Sequence, residues 1–250
     1  MRYFLKIAYD GTDFHGWQRQ PNAVSVQETI EDALSIICRE KIEIVGAGRT
    51  DTGVHAREMY AHFDYDEIKD PDRFSSSLNK LVGNAISIGS PIRVKPDAHA
   101  RFDAISRAYK YHIIFGKNPF EFKFSHNMVR KPDVEKMNEA ASILLETDDF
   151  TSFAKLHSDA KTNICKVSVA RWEEQPDSDK IVFTIKADRF LRNMVRSVVG
   201  TLLEVGTGKI NINDFREIIE RKDRCAAGTS MPAKGLFLEA IEYPEEIFIR

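Results

Sequence analysis

Cysteine is scarce in these 250 residues: Cys38, Cys165 and Cys225 are odd in number and far apart. That argues against a disulfide framework and a CxxC-type metal site, and points to a reducing, cytoplasmic setting. Long apolar runs are missing too. No window reaches the roughly 18 apolar residues of a membrane span, and the start, Met1 to Phe14, carries no apolar stretch followed by a small-residue cleavage site. The 13 Gly and 9 Pro are thinly scattered, so neither a low-complexity tract nor a disordered tail is expected. The seven histidines show no HExxH or other short metal spacing. Neither a metal nor a nucleotide cofactor is expected.

An excess of one charge is also absent. The formal net charge of −2 gives no support to a nucleic-acid partner. The distribution is more informative. Arg93, Lys95, Arg101, Arg107, Lys110 and Lys117 face only Asp97 and Asp103 over the same stretch, and Arg189, Arg192 and Arg196 form a second basic cluster. Acids collect at Asp133 to Asp149 and at Glu239 to Glu246. Each run alone reads as a solvated face; two basic runs in one chain suit a polyanionic partner.

Period-two alternation marks a strand at Tyr3, Leu5, Ile7 and Tyr9. A helix follows, with Ser25 and Glu28 as a capping box and Val26, Ile30, Ala33, Leu34 and Ile37 on one face. Strand, glycine loop and second strand come next, the last with Met59, Ala61, Phe63 and Tyr65 on one side. A helix is expected near Asp72 to Leu81, then Gly and Pro punctuation suggests a boundary. The second half opens on a strand with Tyr109, Tyr111, Ile113 and Phe115 on one face. It continues with a helix at Asp133 to Glu146, strands near Lys166–Trp172 and Ile181–Ala187 joined across Pro176–Asp179, and a long apolar helix from Phe190. Both halves therefore mix hairpin-like strands with helices, an α+β pattern, divided here into 1–100 and 101–250.

Several short motifs fail on their chemistry. The stretch YDGTDF lacks the second carboxylate of an aspartyl-phosphate site, since position 8 is Ala; GTGK at Gly206 lacks the P-loop spacing; GAGRTDTG is not GxGxxG. The glycine loop GAGRTDTGVHA is of another kind. Gly46, Gly48 and Gly53 would permit positive φ or close approach of another molecule, and would display Asp51 beside Arg49. The blander reading is an Asp bonded to its own turn. On the helix from Phe190, the apolar residues come in pairs every four positions. Arg189, Arg192 and Arg196 fall at i, i+3 and i+7 beside that stripe. Arg196 lies between Val195 and Val198, so partial burial and an anionic partner are expected, either a local Asp or Glu or Asp51 itself.

Taken in order, YDGTDFHGWQRQ, GAGRTDTGVHA, HARFDAISRAYKYHI, FLRNMVRSVVGTLLEVG and AAGTSMPAKGL resemble the TruA family of tRNA pseudouridine synthases, from Lys6 to about Leu236. The resemblance implies an isomerase that converts uridine to pseudouridine at tRNA positions thirty-eight to forty, in the anticodon stem and loop, with one catalytic Asp and no metal or cofactor. It implies the pseudouridine synthase fold: two similar α+β halves whose mainly antiparallel sheets join into one continuous sheet, with helices on one side and a basic cleft. A homodimer with one tRNA touching both subunits is implied as well. The family's Asp falls on Asp51, its active-site Tyr on Tyr109, its Asp-pairing basic residue on Arg196 and its nucleotide-placing loop arginine on Arg49. Arg189 and Arg192 become substrate-binding candidates through the RNA backbone.

The chemistry agrees with these assignments. Cleaving a base–ribose C–N bond and rejoining the sugar carbon to C5 requires an ionised carboxylate, a form that a nearby arginine favours. A base drawn out of a stem needs an aromatic face to hold it, a role for Tyr109; Tyr111 reads as a core residue. A non-catalytic RNA-binding protein on the same scaffold is the alternative, which the intact GRTD disfavours. A glycosidase-like hydrolase would need paired carboxylates. The chain departs from the family pattern at Val82 and Gly83, where Leu-Pro is usual, at Ala98 for Phe and at Met231 for Ala; these segments are candidates for RNA contact.

Overall fold

The computed structural model describes residues 1–156, 161–176 and 178–249. Along the chain run β1 (Arg2–Tyr9), α1 (Val26–Cys38), β2 (Val45–Gly46), β3 (His55–Asp64), α2 (Pro71–Leu81), β4 (Ile86–Ile88) and β5 (Ile92–Val94). Then come β6 (Ser106–Phe115), β7 (His126–Met128), α3 (Val134–Ile143), β8 (Val167–Glu174), β9 (Lys180–Ala187), α4 (Met194–Gly206), α5 (Ile212–Arg221) and β10 (Leu236–Glu242). The fold is α+β with mostly antiparallel strand pairs.

Two units emerge, one of Met1–Ile105 with Phe237–Arg250, the other of Ser106–Leu236. The division expected at 100/101 thus moves to 105/106, and the C-terminal segment belongs with the first unit. The reason is a long-range pairing that no local pattern announces: β10 lies parallel to β3, with Phe237 opposite His55 and Leu238 opposite Ala56.

In the first unit β1 is central. Its alternating Tyr3, Leu5, Ile7 and Tyr9 are all buried, and it runs antiparallel to β3 with Leu5 opposite Ala61 and Ile7 opposite Met59. The supposed boundary stretch supplies β4 and β5, both antiparallel to β1. Ser25 Oγ caps α1 by accepting the Glu28 N–H at 3.2 Å, but the Glu28 carboxylate pairs with Arg19 at 3.3 Å instead of closing a capping box. Val26, Ile30, Ala33 and Leu34 are buried as the periodicity requires. Asp70 and Pro71 start α2, and Gly83, at φ +74, ends it in the left-handed turn that glycine accepts most readily. Val82 and Ala98 are both buried, so these two departures are packing choices and do not present their side chains to RNA.

In the second unit β9 lies between β6 and β8, antiparallel to each, with β7 parallel to β6. Of the turn joining β8 to β9, Asp177 lies outside the described residues. Asp133 caps α3 by accepting the Lys136 N–H at 3.0 Å. The apolar helix expected from Phe190 begins only at Met194: Asn193 sits at φ 65, the left-handed region that Asn tolerates, and breaks the helix there. Arg189 and Arg192 therefore lie on the irregular approach to α4 and share no helix face with Arg196. Helix α5 carries the capping box that α1 lacks, formed by Asn211 and Asp214. Among the described residues no helix is long and apolar enough to cross a membrane.

Candidate active site

The Asp51 turn grows out of the β2–β3 pairing, in which Gly46 faces Ala61 and the Ala47 N–H donates to the Tyr60 carbonyl at 2.8 Å. Beyond Ala47 the chain leaves the sheet, and residues 9–17 take over its support. The Thr50 carbonyl accepts the Trp17 N–H at 3.2 Å, and the Thr50 and Tyr9 hydroxyls meet at 2.8 Å in a buried hydrogen bond. The Gly53 N–H donates to the Phe14 carbonyl at 3.3 Å, and the Val54 N–H closes the turn on the Asp51 carbonyl at 3.1 Å. His55, fully buried at the start of β3, accepts the Gly11 N–H on Nδ1 at 3.0 Å and stacks on Phe237 with centroids 4.6 Å apart. Asp51 is half-buried on this frame and Arg49 is exposed.

The three loop glycines do different work. Gly53, at φ +75, makes the turn itself possible. Gly46 is needed because Trp17 lies on it: a Cβ there would fall 2.5 Å from the indole Cε2. A Cβ at Gly48 would meet nothing within 4 Å among the described residues. The close approach expected for another molecule is thus, at Gly46, an approach of this chain's own tryptophan.

In the second unit Tyr109 lies on β6 opposite Ile185, half-buried, with its ring met edge-on by Phe190 at 5.1 Å and 85°. Two residues along the same face, Tyr111 is fully buried, as the core reading required, and its hydroxyl donates to the Pro232 carbonyl at 2.8 Å. Burial holds its phenol well above the ordinary value, and the positive charge of Arg196 acts in the opposite direction. Arg196 is half-buried in the first turn of α4 and is bound both ways to one residue: its Nε donates to the Met231 carbonyl at 2.5 Å, and the Met231 N–H donates to its carbonyl at 3.1 Å. The segment before Met231 is itself tied down. Arg224 reaches the Gly228 carbonyl at 3.2 Å and Ser230 Oγ at 2.8 Å, Asn193 donates to Ser230 Oγ at 2.6 Å, and the Gly228 N–H donates to Thr201 Oγ1 at 2.9 Å.

The other arginines are placed more loosely. Arg192 is exposed and its carbonyl accepts the Lys155 N–H at 3.0 Å. The Arg189 N–H donates to Asp188 Oδ1 at 2.7 Å, and its charge is felt by the buried Cys165, whose thiol burial pushes up to about 12. A thiol held protonated in this way is structural and unreactive. Arg93, Lys95 and Arg101 belong to the first unit and Arg107, Lys110 and Lys117 to the second, so the first basic run spans two structural units. In the sequence Tyr9 reads as a strand residue, Met231 as a departure in a candidate RNA-contact segment, and Trp17 and His55 carry no assigned role. Their motifs were visible, but nothing in a one-dimensional period tells that residues 9–17 wrap a loop some forty positions away.

The sequence profile of the tRNA pseudouridine synthase family matches residues 6–103 and 140–244. Over 248 residues the chain is 56% identical to the tRNA pseudouridine synthase A of Bacteroides fragilis, covering 99% of this chain and 98% of that one. The chain belongs to the tRNA pseudouridine synthase A family. Within this isomerase family it is also 54% identical over 248 residues to the Bacteroides thetaiotaomicron synthase, covering 99% of this chain and 92% of the relative. It is 42% identical over 242 residues to that of Acetivibrio thermocellus, covering 96% and 98%. The synthase profile includes Arg49, Asp51, Arg189, Arg192 and Arg196, whereas Tyr109 falls in the stretch between its two matched segments.

Proposed function

We propose that this chain isomerises uridine to pseudouridine at positions thirty-eight to forty of the tRNA anticodon stem and loop, with Asp51 as the catalytic carboxylate. The observation that carries this reading is the Asp51 turn, held by residues 9–17 at Thr50 on one side and at Gly53 on the other, with Asp51 half-buried between them. Family membership supplies the reaction type. The isomerisation breaks the bond from the ribose C1′ to N1 and forms one from C1′ to C5. The C5 proton leaves and N1 gains one, so atoms balance with no oxidant or second substrate.

An ionised carboxylate serves at the sugar, either bonding to the electron-poor carbon or stabilising its positive charge, and afterwards it can take the C5 proton. In this reading Tyr109 offers an aromatic face on which the detached base turns, its ring in T-shaped contact with Phe190. Arg196 supplies the half-buried cation of the reaction, Arg49 helps place the flipped nucleotide, and Arg189 and Arg192 contact RNA phosphates, which set register without reading sequence. The protein works as a cytoplasmic homodimer in this proposal.

The experiment is pseudouridine formation in unmodified tRNA transcripts, mapped by position, with wild type and Asp51→Asn side by side. Wild type should modify the anticodon arm, and Asp51→Asn should lose about 10^4-fold in rate while binding tRNA within a few fold. Residual isomerisation near wild type would remove Asp51 from the chemistry; tight tRNA binding with no product from the wild type would favour a binding protein.

A further inference from the structure

A buried strand residue with a hydroxyl needs a partner for it, because an unmade hydrogen bond in the core costs more than the bond itself gains. Tyr9 ends β1 at 4% exposure, where Phe would fill the same space without that requirement. Its partner is Thr50, also buried and adjacent in sequence to Asp51, at 2.8 Å. A second, independent feature aims the ring there: the β1–β3 register shifts between Ile7 and Tyr9, so that Tyr9 pairs with Ala56. Such irregularities redirect a side chain beside a functional loop. The Tyr9 ring then lies against Trp17, centroids 6.2 Å apart, and Trp17 donates its N–H to the Thr50 carbonyl while its indole covers Gly46.

We propose that Tyr9 is a positioning residue for the reaction: its hydroxyl holds Thr50 and thereby sets the direction in which the Asp51 carboxylate points. This rests on Asp51 being the catalytic carboxylate. With the Thr50 side chain tied to Tyr9, its carbonyl tied to Trp17 and the Asp51 carbonyl tied to Val54, the backbone on either side of Asp51 is fixed. The side-chain tie is the one a single atom can remove.

The test is the single-turnover rate of pseudouridine formation with enzyme in excess, together with tRNA Kd and Tm. It compares wild type, Asp51→Asn, Tyr9→Phe, Thr50→Val, the Tyr9→Phe/Thr50→Val double variant and Thr50→Ser. Misplacing a reacting group by about 1 Å costs about 10^2-fold, so loss of one of several ties should slow the step about ten-fold. The expected result is that loss in each single variant with Kd within about two-fold, no further loss in the double variant, and restored rate in Thr50→Ser, which keeps the hydroxyl. A bond that only stabilised the fold would lower Tm and leave the rate of folded enzyme untouched. Wild-type rates in Tyr9→Phe and Thr50→Val, or losses that multiply in the double variant, would overturn the proposal. An active Asp51→Asn would instead overturn the reading on which it rests.

Discussion

The Asp51 turn and the Arg196 turn of α4 are both held by a distant stretch of chain, but by different means. Around Asp51 side chains do much of the holding: the Tyr9 and Thr50 hydroxyls, the Trp17 indole on Gly46 and the His55 imidazole on the Gly11 N–H. Around Arg196 the hydrogen bonds to Met231 run through that residue's main-chain N–H and carbonyl. A main-chain clasp leaves the side chain free to vary. That accommodates a methionine at 231, where the resemblance implied alanine, and it makes Tyr9, Trp17 and Gly46 the positions that cannot change quietly.

The largest effect that sharpens this comparison is at Arg196 itself. Arg196→Leu should lower the isomerisation rate by about 10^2-fold, the cost of removing one charged donor from a transition state. Stability should fall by only about 1 kcal/mol, the usual value of one hydrogen bond, since the Met231 N–H still reaches the residue 196 carbonyl. Parallel rate assays and urea denaturation decide it; a normal rate with unchanged stability removes Arg196 from the site.

Of intermediate size is Gly46→Ala, which drives a methyl group into the Trp17 indole and should cost about 1–3 kcal/mol in urea denaturation. An unchanged midpoint would mean that the indole swings aside freely, and the side-chain clasp around the Asp51 turn would be weaker than described. The smallest effect is expected at Met231→Ala. The main-chain bonds to Arg196 survive, so stability should move by about 0.5 kcal/mol or less and the single-turnover rate should stay at the wild-type level. A clear drop in rate would show that the Met231 side chain matters and would erase the contrast between the two turns.

Much of the fold was legible in one dimension where the signal is local. The alternation of β1, the Ser25 and Asp133 helix starts and the buried face of α1 follow from side-chain period and capping chemistry, which depend on neighbours a few residues away. Where a local rule met a competing contact, it gave way. Glu28 turned to Arg19 and left the capping box open, and Asn193 took a left-handed conformation that cut the expected helix short and separated Arg189 and Arg192 from Arg196. Helix α5 and strand β10 were not anticipated at all, β10 because its parallel partner lies far away along the chain.

By itself the sequence determined the α+β class, the family, the reaction that family performs and the residues proposed for it, Asp51 foremost, because motif identity and short-range periodicity survive in a linear string. Tertiary structure alone decided that the C-terminal strand returns to the first unit, that Gly46 makes room for Trp17 and that Met231 clasps Arg196 through its backbone. The physical reason is the same in each case. These are contacts between segments tens to hundreds of residues apart, formed only when folding brings the segments together, and no residue carries a mark of its distant partner.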